Sequence, residues 1–177
     1  MKIVLSPDPT LRQVCSPADP TDKGLKHLAS QMGKTMYKNN GCGLAAPQVG
    51  VLKRIIVIDC NAEEDKKHLE VLLNPVIVAH SDETVECDEG CLSVPGVAFP
   101  ITRWAWVTVE ALDLDGQEIV YEKADGLLGR CLQHEIDHLD GITMFERLDP
   151  FTRMGAIREY QEALARGAKP GDTSVPE

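Results

Sequence analysis

The sequence predicts an α+β fold, and three observations carry that prediction. Short β-branched or alternating segments occupy the first two thirds of the chain. Near Ala124 the apolar spacing changes from strand-like to helical. The helical stretch that follows contains His134-Glu135-Ile136-Asp137-His138 within a broad apolar face. With 177 residues the chain has the length of one domain, expected over 1–166, and residues 167–177, rich in Gly, Pro, Asp, Thr and Ser, read as a flexible C-terminal tail.

The first element is a helix. Leu25, Leu28, Met32 and Met36 recur at spacings of three and four, Thr21 or Asp22 stands near the start, and Asn39-Asn40-Gly41 ends it. Gly41 to Gly50 is too glycine-rich for a long regular element and reads as a shaped loop. Arg54 to Asp59 is a short β-branched strand. Leu69 to Leu73 and Val76 to Ala79 are strands flanking an Asn74-Pro75 turn. Trp104 to Leu112 alternates in character, and Asp113-Leu114-Asp115-Gly116 turns it into Glu118 to Tyr121 as a hairpin. The charged run Glu63 to Lys67 reads as an exposed loop.

Leu127, Leu128, Cys131, Leu132, Ile136 and Leu139 define a buried helix from about Asp125, closed by Asp140-Gly141. Asp149-Pro150 opens another, with Met154, Ile157, Tyr160 and Leu164 as its apolar stripe.

Composition excludes several classes. A formal net charge of -10 argues against a broad DNA or RNA footprint, since phosphate contacts need a basic patch. The N-terminal nine residues carry one basic residue and a three-residue apolar run, which does not read as a signal peptide, so a cytoplasmic location is expected. No apolar run reaches the length of a membrane span. The six cysteines contain no CxxC pair and read as buried thiols with one candidate metal ligand, rather than as disulfides or a four-thiolate zinc knot.

His134 and His138 sit four residues apart and share a helix face, so both imidazoles can reach one ion, with Glu135 beside them as a general base. Left as surface groups, they would sit oddly among Leu128, Leu132, Ile136 and Leu139, where unpartnered His and Glu are costly. A catalytic site needs a third protein ligand. Cys131 is a candidate, but it lies about 10 Å along the axis from His138 by helical rise. Glu159 or Glu162 would supply a carboxylate from the next helix, as in gluzincin-type peptidases. Cys91, in the turn-rich stretch Asp88 to Gly96, would bring a thiolate from outside the helix. Residue chemistry favours Cys91 modestly, because a thiolate and two imidazoles suit Zn or Fe(II) and Gly90 permits close approach.

Three segments resemble the signature motifs of the peptide deformylases: Gly41-Cys42-Gly43-Leu44-Ala45-Ala46-Pro47-Gln48, Glu89-Gly90-Cys91-Leu92-Ser93, and Gln133-His134-Glu135-Ile136-Asp137-His138-Leu139 with Gly141 behind. They stand in the family's order, and the similarity spans about residues 3 to 165. The resemblance implies mixed or antiparallel sheets packed around a central metal-binding helix. It implies that Cys91, His134 and His138 bind one divalent metal, Fe(2+) in the cell, with Zn(2+), Ni(2+) or Co(2+) able to substitute. Glu135 would be the general base and then acid, and Gln48 with the backbone N–H of Leu92 would hold the developing oxyanion. Glu89 would support the centre, paired with Arg103. Gly41, Cys42, Gly43, Leu44, Gly90, Leu127 and Cys131 would form the substrate pocket.

The implied reaction is removal of formate from N-terminal formylmethionine of nascent chains, so the implied partners are formylmethionyl peptides, with no DNA and no membrane. Two departures stand out. Ala98 occupies a stretch where many members carry an arginine near the substrate's later residues. The C-terminal helix is shorter and mixed in sign, with Arg153, Arg158 and Arg166 against Glu159 and Glu162. In some relatives that region is basic and contacts the ribosome; here at most a transient contact is implied. Two other readings compete: a gluzincin-like endopeptidase using Glu159 or Glu162, and a catalytically silent metal protein that only binds N-termini.

Overall fold

The computed structural model describes residues 1–61 and 66–174; within the charged run, Glu63, Glu64 and Asp65 lie outside the described residues. The first helix, α1 (Leu25–Lys38), buries Leu25, Ala29, Met32 and Met36, the i, i+4, i+7, i+11 face of an amphipathic helix. Its N-cap is Gly24, and Asp22 shapes the preceding turn by accepting the Gly24 N–H at 2.8 Å. Asn40 ends it in the left-handed region, and the Gly41 N–H returns to the Met36 carbonyl at 3.0 Å.

The glycine-rich stretch expected as a loop contains regular structure. β1 (Gly43–Ala45) pairs antiparallel with β2 (Ile55–Ile58), and a single 3-10 turn over Ala46–Val49 follows β1, closed by Gly50 at φ 82°. β2 is buried along its whole length, which suits an unbroken β-branched run. β3 (Glu70–His80) is one strand where two were expected. Asn74 adopts φ 52° and its side chain bonds both backbone groups of Ala18, at 2.7 and 2.9 Å, so Asn74-Pro75 makes a bulge and not a turn.

β4 (Thr84–Cys91) and β5 (Val94–Trp104) form a separate two-stranded hairpin that sequence spacing did not suggest. β6 (Trp106–Leu112) and β7 (Glu118–Asp125) pair across the Asp113–Gly116 turn, with Val107, Val109 and Ala111 inward. The sheet order is β1-β2-β3-β6-β7, antiparallel throughout. α2 (Gly126–Leu139) is buried from Cys131 to Leu139. α3 (Pro150–Ala165) starts where Asp149 caps the N–H groups of Phe151 and Thr152.

Three apolar clusters organise these elements. α1 covers one face of the large sheet through Met32, Met36, Leu44, Ile55 and Val57. α2 covers the other through Leu132, Ile136 and Leu139 against Ile56, Ile58, Val107 and Val109. α3 packs on β5, but through Ala156, Tyr160 and Ala163; Met154 and Ile157 of the expected stripe are exposed. Small residues let the helix lie close to the strand. Residues 168–174, within the stretch read as a tail, lie against β5: Ala168 is buried and the Gly96 N–H donates to the Asp172 carbonyl at 2.8 Å. Among the described residues no helix is long and apolar enough to cross a membrane.

Candidate active site

α2 and the β4–β5 hairpin meet at a cluster of soft donors. His134 and His138 are one helical turn apart, with ring centroids 5.0 Å from each other. Cys91 ends β4, where a register shift after Gly90 turns the chain through Leu92 and Ser93 into β5, so the thiol comes from a strand end and not from a free loop. The Cys91 Sγ lies 3.4 Å from His138 Nε2, and one donor atom each from Cys91, His134 and His138 falls within 4.8 Å of the others. The other candidate third ligands are elsewhere. Cys131 groups with Cys42 and Cys60, Glu162 pairs with Arg166 on the surface, and Glu159 is exposed.

This donor set fits a divalent ion. A thiol and two imidazoles suit zinc or ferrous iron. Burial holds the His138 imidazole below its ordinary pKa, which favours the neutral, ligating form. His134 spends Nδ1 on Glu89 Oε2 at 2.9 Å, which leaves Nε2 for an ion.

Behind the donors lies an ionic network, buried at Arg103, Glu89 and Asp137 and reaching solvent at Arg147. Arg103 grips Glu89 in a two-pronged pair, at 2.8 and 2.9 Å, and donates to Asp137 Oδ2 at 2.7 Å. Arg130 donates to Glu89 Oε1 at 2.8 Å and to the carbonyls of Val85, Cys87 and Ile101, while Arg147 pairs with Asp137. Burial opposes a charge on Glu89, but His134 and Arg103 outweigh it and hold the carboxyl at about 2. Each guanidinium thus meets a carboxylate, the condition under which buried charge is tolerable. Gln133 docks α2 to β5 by exchanging bonds with both backbone groups of Trp104, each at 3.1 Å.

Glu135 faces the other way. It is buried, its Oε2 has no hydrogen-bond partner among the described residues, and burial pushes its pKa up to about 7. Gln48, 1% exposed, is oriented by its own carbonyl oxygen, which accepts the Ala45 N–H at 2.8 Å. Its amide nitrogen therefore points to Ser93 Oγ at 3.1 Å and lies 3.5 Å from Cys91 Sγ. The N-terminal segment braces this corner: the Val4 N–H bonds the Gln48 carbonyl, and the Ser6 N–H bonds the Ser93 carbonyl.

A cavity of about 620 Å³ opens onto these groups. Gly41, Cys42, Gly43, Gly90, Leu92, Leu127 and Cys131 line it beside Gln48, His134 and Glu135. Leu127, 58% exposed, stands at its rim. Leu44 does not line it. Strand alternation turns Leu44 to the opposite face of β1, where it is fully buried with the α1 cluster. Gly171, Asp172 and Thr173 complete the rim.

Arg130, Asp137 and Arg147 carry the network and had no role in the sequence reading. The available signal was charge on a helix otherwise apolar: Arg130 is one turn before His134, and Asp137 interrupts the buried face.

The polypeptide deformylase family model matches residues 1–154. A peptide deformylase of Rhizobium meliloti is 43% identical over 168 residues, 94% of this chain and 96% of its own length. One from Thermodesulfovibrio yellowstonii is 45% identical over 153 residues, 86% and 92% of the two lengths. Among solved structures, a Legionella pneumophila peptide deformylase superposes with a TM-score of 0.85 at 43% identity, covering 93% of this chain and 95% of its own. The Ehrlichia chaffeensis enzyme in complex with actinonin gives a TM-score of 0.83 at 41% identity, covering 91% and 95%. Sequence, fold and the cysteine–histidine cluster agree, and the chain belongs to the polypeptide deformylase family.

Proposed function

We propose that this protein hydrolyses the formyl amide of N-terminal formylmethionine on newly made polypeptides and releases formate. The observation that carries the reading is the meeting of Cys91, His134 and His138 within 4.8 Å, in a chain of this family, beside a cavity that Cys91, His134, Glu135 and Gln48 line. The three residues would hold one divalent ion, Fe(2+) in the cell, with Zn(2+), Ni(2+) or Co(2+) as substitutes. When bound, the ion supplies Lewis acidity that makes water a nucleophile near neutral pH.

Glu135 takes a proton from the attacking water and passes it to the departing amine, a role open to a carboxylate whose buried Oε2 has no hydrogen-bond partner among the described residues. Gln48 donates from Nε2 to the oxygen on which charge develops, joined by the N–H of Leu92, and such donors contribute several kcal/mol to transition-state stabilisation. Glu89, held by Arg103, fixes the ring of His134. Methionine would enter between the Gly41–Gly43 segment, Gly90, Leu127 and Cys131. Among the described residues β4 pairs only with β5 in its sheet, so its outer edge can receive the substrate backbone as an added strand. Residues 1–166 would act as one catalytic domain in the cytoplasm, where nascent chains emerge. Contact with the ribosome would be transient, because α3 presents no uniformly basic face.

Formate release from formyl-Met-Ala-Ser by anaerobically prepared, iron-loaded protein tests this reading. Wild type should turn over, while Cys91→Ala and Glu135→Ala should each lose at least about 100-fold in rate. Formate release that survives Cys91→Ala would overturn the ligand assignment. Cleavage of internal peptide bonds without formate would favour a peptidase, although exposed Glu159 and Glu162 argue against one.

A further inference from the structure

A second group of thiols converges beside the pocket, separate from the Cys91 centre. Cys42 precedes β1, Cys60 follows β2 and Cys131 lies on α2, and their sulfurs all fall within 4.8 Å of one another. The Cys131 and Cys60 thiols both approach the Cys42 carbonyl, at 3.6 and 3.9 Å, and none of the three is in a disulfide. Three separate elements thus deliver three soft donors to one point. Metal–sulfur bonds of about 2.3 Å in a trigonal plane require sulfurs about 4 Å apart, a spacing inside the observed limit.

We propose that Cys42, Cys60 and Cys131 form a second metal site, selective for a thiophilic d10 cation of the cuprous class, and that filling it blocks the substrate pocket. Donor chemistry supports the class, because three thiolates without oxygen or nitrogen favour a soft ion. Access is through the pocket, which Cys42 and Cys131 line. Binding forms up to three sulfur–metal bonds, releases the corresponding thiol protons to solvent and transfers no electrons. Blockage follows from position: a Cβ built on Gly43 would meet both Cys131 Sγ at 2.7 Å and Glu135 Oε1 at 2.5 Å, so one thiol of the triad and the carboxylate crowd the same glycine, and Cys42 and Cys131 themselves line the pocket.

The test titrates the iron- or nickel-loaded protein anaerobically with buffered Cu(I), counting both metals. Cys60 lies outside the pocket lining, so Cys60→Ser and Cys60→Ala leave the basal reaction in place while removing one donor. The expected result is one additional copper per wild-type chain, retention of the first metal, loss of formate release, and copper affinity at least about tenfold weaker in both variants. The sulfur-only shell should appear in X-ray absorption of the wild type, with neighbours at about 2.3 Å, whether or not the variants fold. Copper that displaces the first metal, a shell containing nitrogen, or no additional copper would each overturn the proposal. The copper count does not depend on the deformylase reading, so the two can fail separately.

Discussion

At position 43 a β-carbon would stand 2.5 Å from one side-chain end and 2.7 Å from another, so a neighbour must move to admit it. The strand and α2 approach so closely there that a methyl group would press on Glu135 and Cys131 together. Gly43→Ala should therefore displace the carboxylate, cutting formate release at least about tenfold while costing about 1–3 kcal/mol of stability, as overpacking usually does. Steady-state kinetics and a urea midpoint on the same preparation check both numbers. A stability loss with unchanged kcat would show that Glu135 is not held by this contact. Leu44, next along the strand, needs the contrary treatment: its side chain belongs to the α1 core, so truncation to Ala should cost about 2–5 kcal/mol without altering the pocket. Thermal or urea unfolding measures that cost, and a changed KM for the peptide would contradict the assignment of Leu44 to the core.

Between α2 and the hairpin, charges settle the alignment. Arg130 serves one carboxylate and three carbonyls, and its loss would remove one of the two guanidiniums that offset the buried Glu89. Arg130→Met should destabilise the fold by about 1–3 kcal/mol and weaken metal affinity about 10- to 100-fold through His134. Chelator competition and denaturant curves separate the two effects. These elements also mark where sequence was informative. α2 was legible because fourteen residues of helical periodicity enclose a spaced histidine pair. The β6–β7 hairpin was legible from alternation and an Asp-Gly turn. The β4–β5 hairpin was not: β4 is exposed over most of its length and β5 carries two prolines, so neither shows a clean period of two. The rest of the ionic network was hidden for a related reason: the family resemblance implied the Arg103–Glu89 pair, whereas Arg130 and Arg147 meet their carboxylates only through tertiary contact. α3 misled because its burial rests on alanines, which carry little periodic signal.

Taken whole, the molecule places its candidate metal ligands on two otherwise separate sheet systems: Cys91 belongs to the hairpin, and the histidines to the helix on the five-stranded sheet. An ion held by all three would fasten one to the other. Removing it with a chelator should lower the melting temperature, by about 2–4 °C for each kcal/mol of binding energy lost in a protein of this size. Calorimetry with and without chelator measures it, and an unchanged melting point would mean the sheets are already locked together by Glu89, Asp137 and their arginines. The same placement sets a timetable. Cys91 and His138 are 47 residues apart in the chain, and the thiol is synthesised first. Until the last third of the chain has been translated and α2 has docked, the thiol has no imidazoles to share an ion with. The three donors therefore meet only late in folding, and added iron should slow unfolding while leaving the refolding rate alone.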